Sequence, residues 1–178
     1  MHPDLKKILF TEERIRRRIQ ELGEQISRDY RGKTPILIGV LKGSILFLSD
    51  LLRTLTIHCS VDFISLSSYN GSASTGVVRL LLDLCENVSG KDVIIVEDIV
   101  DTGLTISYLM QNLSTRKPKT LEICTLLDKT ECRKIAVPLR YVGFKVPDEF
   151  VVGYGLDYNE RYRHLPYIGV LKKKPRHG

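Results

Sequence analysis

No run of about 18 consecutive apolar residues occurs in this 178-residue chain, which excludes a membrane-spanning helix. The opening segment, Met1 to Arg18, lacks the apolar core of a secretory signal, so a cytoplasmic location is the expectation. Cysteine is scarce: the four, at 59, 85, 124 and 132, form no C-x-x-C pair and have no histidine cluster beside them. That argues against a zinc site or a disulfide framework. Cys59 and Cys124 fall in strand-like runs and read as small core residues. Internal repeats, low-complexity tracts and a dividing linker are missing, so one domain is expected over residues 1–178. Excess charge is small as well. Of the net +6, Lys172, Lys173, Lys174 and Arg176 in the last seven residues carry +4. This tail reads as a solvated end, and the mildly basic remainder suits a small phosphorylated ligand as well as a polynucleotide. With 43% hydrophobic and 27% charged residues, disorder, collagen and coiled coil are excluded as the main architecture.

What is present alternates between two periodicities. Thr11 is placed to cap a helix whose apolar face is Ile15, Ile19, Leu22, Ile26 and Tyr30, ending near Gly32. Pro35 to Leu41 is a continuous apolar run of the kind buried on both faces of a parallel sheet. Helix-like spacing follows over 45–55, then strand-like segments at 58–68 and 77–84 flank a small, polar stretch at 69–76. A short apolar strand at 92–96, a helix from Gly103 to Arg116 and a strand over 121–127 come next. The last third reads as short strands at 139–144, 150–154 and 167–171. This alternation predicts an α/β fold with an open sheet.

The chemistry concentrates in Val93-Ile-Ile-Val-Glu-Asp-Ile-Val-Asp-Thr-Gly-Leu-Thr105. An apolar strand leads directly into Glu97, Asp98 and Asp101, and Thr102, Gly103 and Thr105 open a helix. Ligands of open α/β sheets sit beyond the carboxyl ends of the strands, where a helix N-terminus offers free N–H groups to an anion. Gly103 admits close backbone approach and the threonine hydroxyls add donors. Carboxylates repel phosphate but accept from vicinal hydroxyls, so acids beside a phosphate cradle describe a site for ribose 5-phosphate. No G-x-x-x-x-G-K-[ST] is present, which excludes a P-loop.

On these residues the segment resembles the phosphoribosyl-pyrophosphate-binding motif of the type I phosphoribosyltransferases. Val40-Leu-Lys-Gly43, Asp62-Phe-Ile with Ser68-Tyr69, Lys129, and Val151-Val-Gly-Tyr-Gly-Leu-Asp-Tyr-Asn-Glu160 narrow the resemblance to the hypoxanthine–guanine branch. It implies a mostly parallel twisted sheet flanked by helices, with a core over about 33–145. A small hood would come from the N-terminal segment and about 146–178.

By the same resemblance, Glu97 and Asp98 hold ribose hydroxyls, and the backbone and threonines of Asp101, Thr102, Gly103, Leu104 and Thr105 bind the 5-phosphate. Asp101 is the partner of the purine N7, moving its proton or orienting the base. Lys129 donates to O6 and rejects an adenine amino group. Phe150 stacks on the base, and the Val151 and Asp157 carbonyls read its lower edge. Lys42 and Gly43, in a strand-to-helix turn that family members hold with a cis peptide, bind pyrophosphate together with Arg163. Ser68 and Tyr69 stand at the base of a mobile catalytic loop over 69–76. Asp157, Glu97 and Asp98 are the expected Mg²⁺ residues.

The implied reaction transfers phosphoribosyl from phosphoribosyl pyrophosphate to N9 of hypoxanthine or guanine, giving IMP or GMP and pyrophosphate. The C1–O bond should loosen first, with oxocarbenium character. A homodimer or homotetramer is expected, and no membrane or nucleic-acid partner. A xanthine-preferring sister enzyme and a nucleic-acid-binding regulator on the same fold are the competing readings.

Overall fold

The computed structural model describes residues 1–68 and 78–172. In chain order these form β1 (Leu5–Phe10), α1 (Glu12–Asp29), β2 (Ile36–Leu41), α2 (Ile45–Thr54), β3 (Ser60–Ser68), β4 (Val78–Leu82) and β5 (Asp92–Val100). Then come α3 (Leu104–Ser114), β6 (Thr120–Asp128), β7 (Tyr141–Lys145), β8 (Val151–Val152) and β9 (Ile168–Leu171). Six strands make one sheet in the order β4-β3-β2-β5-β6-β7, antiparallel only at β3–β4. This is the open, mostly parallel α/β sheet that the resemblance implies.

Strand alternation sends successive side chains to opposite faces and divides the core. Leu37, Ile94 and Val96 pack with Phe47, Leu48 and Leu51 of α2 and with Ile15, Ile19, Leu22 and Ile26 of α1. Ile36, Ile38, Val93 and Ile95 pack instead with Ile106, Leu109 and Leu113 of α3. The helix α1 begins where expected, with the Thr11 hydroxyl accepting from the Arg14 N–H at 3.3 Å. It docks on β7 through Arg18, whose guanidinium donates to the carbonyls of Gly143 (2.9 Å) and Val142 (2.8 Å).

The structure extends one expected strand, adds one that was not expected and shortens a third. The strand expected to stop at Val96 runs on to Val100, because β6 keeps pairing with it at Glu97–Thr125, Ile99–Leu127 and Val100–Asp128. The first two acids of the motif therefore lie inside a central strand rather than after it. Leu5–Phe10, which no expectation covered, is a strand paired antiparallel with β9. Its Lys6-Lys7 pair hides the apolar rhythm of Leu5, Ile8 and Phe10. The strand expected over 150–154 is regular only at Val151–Val152, since positive φ at Gly153, Tyr154 and Gly155 turns the chain away. All four cysteines are free, with Cys124 buried in β6 and Cys59 half-buried against the core. The expected 69–76 loop, with Tyr69, and the tail from Lys173 onward lie outside the described residues.

The sheet β1-β9-β8 joins N- and C-terminal segments and meets the larger sheet near Gly155. A Cβ on Gly155 would sit 2.1 Å from the Gly43 carbonyl oxygen, and its φ is +95°. Gly155→Ala should therefore cost about 2–3 kcal/mol through clash and left-handed strain. A circular-dichroism melt should show Tm lower by about 4–12 °C, and an unchanged Tm would refute the close approach.

Candidate active site

The chain leaves β2 through α2 towards β3, but leaves β5 through α3 in the opposite direction towards β6. β2 and β5 are neighbours, paired as far as Gly39–Val96. Their carboxyl ends thus flank a topological switch point, the place where an open α/β sheet offers a crevice. Lys42 and Gly43 extend from one side of it; Glu97 and Asp98 line the other. The Leu41–Lys42 peptide is cis. Ser44, fully buried, closes the turn by donating its hydroxyl to the Val40 carbonyl at 2.6 Å. A Cβ on Gly43 would lie 1.7 Å from Asp98 Oδ2, so only glycine fits beside that carboxylate.

Glu97 is buried, and its Oε2 has no hydrogen-bond partner. Burial first, and then the adjacent Asp98 charge, push the Glu97 carboxyl well above the usual carboxylate range. Burial also raises Asp98, against opposing effects from Glu97, the Ile99 N–H and the Arg163 charge. Asp98 Oδ1 accepts from that N–H at 2.8 Å. The pair resists ionising twice and offers acceptors to hydroxyl donors.

Beyond it, Asp101 to Thr105 turns into α3, with Gly103 as N-cap at φ +85°. Asp101, Thr102, Gly103 and Thr105 of this turn and the acid pair line one cavity of about 200 Å³. A larger hollow of about 650 Å³ over α1 is lined by outward-facing side chains such as Arg14, Arg16 and Arg17 and gathers no comparable set of acids and free N–H groups. The turn is braced from below by the segment after β6. The Thr102 carbonyl accepts from the N–H groups of Lys134 (2.9 Å) and Ile135 (3.1 Å). Arg133 pairs with Asp128 and donates to the Val100 carbonyl at 3.4 Å.

Lys129 follows β6 directly, its N–H donating to the Val100 carbonyl at 2.9 Å. It is 7% exposed, and its Nζ stands 3.9 Å from both an Asp101 and an Asp148 carboxylate oxygen. The nearby Cys132 thiol is pushed up to about 11, by burial first and then by Asp148 and Asp101, so it is a poor nucleophile at neutral pH.

From the smaller sheet, Val151 is buried in β8 and the Phe150 ring meets Tyr158 edge-on at 5.6 Å. Asp157 accepts from Arg163 Nη2 and from the Glu160 N–H, both at 2.8 Å. Arg163 also donates to the Gly155 carbonyl at 2.8 Å. Ser68 ends β3, and Leu104 is exposed at the head of α3. The structure thus gathers Lys42, Gly43, Glu97, Asp98 and Arg163 around the switch point, and brings Asp101 and Lys129 together at the neighbouring strand end. Ser44, Asp128, Arg133, Asp148 and Glu160 went unsought. Only Glu160, inside the quoted 151–160 motif, carried a sequence signal.

The phosphoribosyl transferase domain family matches residues 7–159. A hypoxanthine-guanine phosphoribosyltransferase of Staphylococcus aureus is 52% identical over 173 residues, 97% of each chain. A crystal structure of a hypoxanthine phosphoribosyltransferase from Staphylococcus aureus superposes with a TM-score of 0.93 at 52% identity, covering 97% of this chain and 94% of that one. A Trypanosoma cruzi hypoxanthine phosphoribosyl transferase, solved in work on its C-terminal region, gives 0.92 at 44% identity with the same coverages.

The buried acid pair has a measurable signature. With the folded Glu97 pKa raised above its unfolded value, its contribution to stability is fully present below the ordinary carboxylate range and is lost as pH rises through the raised value. Glu97→Gln removes that loss. In urea melts the variant should gain on the wild type between pH 5 and pH 8, ending about 1–2 kcal/mol more stable. A gap that does not widen with pH would contradict the burial of the pair.

Proposed function

The chain belongs to the phosphoribosyl transferase family, in its hypoxanthine-guanine branch, and from that premise we propose the reaction it runs. The 5-phosphoribosyl group of phosphoribosyl pyrophosphate passes to N9 of hypoxanthine or guanine, and pyrophosphate leaves. IMP or GMP is the product, and the role is purine salvage. One observation carries this reading: an acid pair, an N–H-rich turn and a buried lysine meet at one switch point. Acceptors for ribose hydroxyls, donors for a phosphate and a cation for a base oxygen, the partners that a nucleotide's three parts require, are thereby brought together.

In this reading Glu97 and Asp98 accept from the ribose hydroxyls and fix the sugar while its C1–O bond loosens. The Asp101–Thr105 turn anchors the 5-phosphate with backbone N–H groups and the Thr102 and Thr105 hydroxyls. Lys129 donates to the purine O6, a group adenine lacks, and Asp101 takes or orients the N7 proton. Phe150 covers the base, and the Val151 and Asp157 carbonyls accept from its edge. Lys42 and Gly43 supply amide donors to the departing pyrophosphate, and the Lys42 ammonium and the planar fork of Arg163 neutralise its charge. No enzyme nucleophile is needed. Ser68 and Tyr69 would support a loop that excludes water from the sugar cation.

Glu97, Asp98 and Asp157 would hold Mg²⁺. No group of three or more potential ligands encloses a metal among the described residues, yet Glu97 Oε2 is buried without a partner. That suits magnesium, which takes one or two carboxylates and fills its remaining positions with water and phosphate oxygens. When bound, the ion supplies positive charge against the leaving pyrophosphate. We place the enzyme in the cytoplasm as a homodimer or homotetramer, one domain over residues 1–178, with its core over about 33–145 and a hood from the two terminal segments. Among the described residues no helix is long and apolar enough to cross a membrane. The xanthine-preferring and regulator readings draw no support from the relatives.

A pyrophosphate-release assay with phosphoribosyl pyrophosphate, Mg²⁺ and a panel of hypoxanthine, guanine, xanthine, adenine, uracil and orotate tests the reading. Turnover is expected with hypoxanthine and guanine and not with adenine. Lys129→Ala should lower kcat/KM for both active bases about 10- to 150-fold, the value of one charge-assisted hydrogen bond. The KM for phosphoribosyl pyrophosphate should hold. Retained discrimination in the variant would move base reading elsewhere.

A further inference from the structure

Two cations assigned to the leaving group converge on one carboxylate that the reaction does not use. Lys42 Nζ donates to Glu160 Oε1 at 3.1 Å, and Arg163 Nη2 lies 3.3 Å from Glu160 Oε2. Each oxygen thus meets a different cation, one from the β2 turn and one from the smaller-sheet segment. The backbone aims this carboxylate. Asn159 and Glu160 both have left-handed φ, +52° and +59°, uncommon for non-glycine residues. The Glu160 N–H is fixed on Asp157 Oδ2 at 2.8 Å. Yet the side chain is 66% exposed, free to swing into water. Lys42 first, and then Arg163, hold its carboxyl below the ordinary range, so it is ionised at neutral pH.

We propose that Glu160 is the resident anion of the pyrophosphate subsite, a positioning residue that pairs Lys42 with Arg163 while the subsite is empty and yields both cations when pyrophosphate arrives. The inference rests on the pyrophosphate assignment made above. Without Glu160, Lys42 would lose its carboxylate partner, and nothing would tie its charge to that of Arg163, which Asp157 holds in place. With it, the two cations stay converged, and the exchange is of one anion for another. An incoming polyanion and a fixed carboxylate cannot share the same two donors without like-charge repulsion. Exposed ion pairs are weak, so the carboxylate is easily displaced. Asp157 Oδ1 also pairs with Arg163, at 2.8 Å, and anchors that cation, but among the described ion pairs only Glu160 joins Arg163 to Lys42. On the product side, the returning carboxylate helps to expel pyrophosphate, and product release is rate-limiting in many enzymes.

The test is calorimetric titration of inorganic pyrophosphate with Mg²⁺ into the wild type, Glu160→Gln and Glu160→Ala, alongside steady-state kinetics. Both variants should bind pyrophosphate about three- to tenfold tighter. Their KM for phosphoribosyl pyrophosphate should fall, kcat should fall with slower release, and the KM for hypoxanthine should not move. A purely structural role would weaken binding instead, so unchanged or weaker pyrophosphate binding by the variants of a wild type that turns over hypoxanthine overturns this proposal alone. A wild type that neither binds pyrophosphate nor turns over any base overturns the parent reading, and this one with it.

Discussion

Gly43 is the point on which the site depends, because a buried carboxylate and a second stretch of backbone close on it and leave no space for a side chain. On one side Asp98 Oδ2 occupies the volume a Cβ would take; on the other, the Gly43 carbonyl presses on Gly155. The first contact seals the acid pair against the β2 turn and so accounts for its burial. The second sets the height of the smaller sheet above the larger one. A side chain at Gly43 would therefore disturb the acid pair, the turn after β2 and the approach of Gly155 together. Close approach of this kind depends on residue size rather than on any attractive term, which makes it sharp.

Electrostatics then divides the crevice. The carboxylates of Glu97 and Asp98 and the turn at Asp101, Thr102 and Gly103 line one small cavity, while the cations Lys42, Lys129 and Arg163 stand outside its lining. The acids carry a cost: Glu97 is buried without a partner, and its ionisation is opposed by both desolvation and Asp98. Residues that break the ordinary rule for buried polar groups are found where a ligand completes them. Away from the crevice, buried polar groups such as Asp62, which accepts from the Cys85 and Glu86 N–H groups, are satisfied internally.

The reach of the sequence follows from the range of the interactions involved. Period and punctuation are local, so the α1 face from Ile15 to Ile26 and the apolar β2 run were legible, and so was the Glu97–Thr105 motif. The extent of β5 was not, because Glu97 and Asp98 interrupt an apolar run whose strand geometry is imposed by β6. Likewise β1 exists through its pairing with β9, and no window of ten residues reports that. Lys129 was legible through family likeness alone; its place beside Asp101 comes from the Val100–Asp128 register, which brings two strand ends level. The brace of Arg133 on Asp128 beneath the phosphate turn left no trace in spacing or composition.

The pairing of β1 with β9, Leu5 against Leu171, sets an order of assembly. Strands β2, β5 and β6, with the acid pair and the anion turn, are local enough in sequence to come together on a nascent chain while later residues are still emerging. The smaller sheet cannot close until β9 has been made, and it brings Phe150, Val151, Asp157 and Arg163 with it. During synthesis, then, the acid pair and the anion turn can form before Phe150, Val151, Asp157 and Arg163 are in place. A ribosome-bound chain is a half-built crevice that the last strand completes.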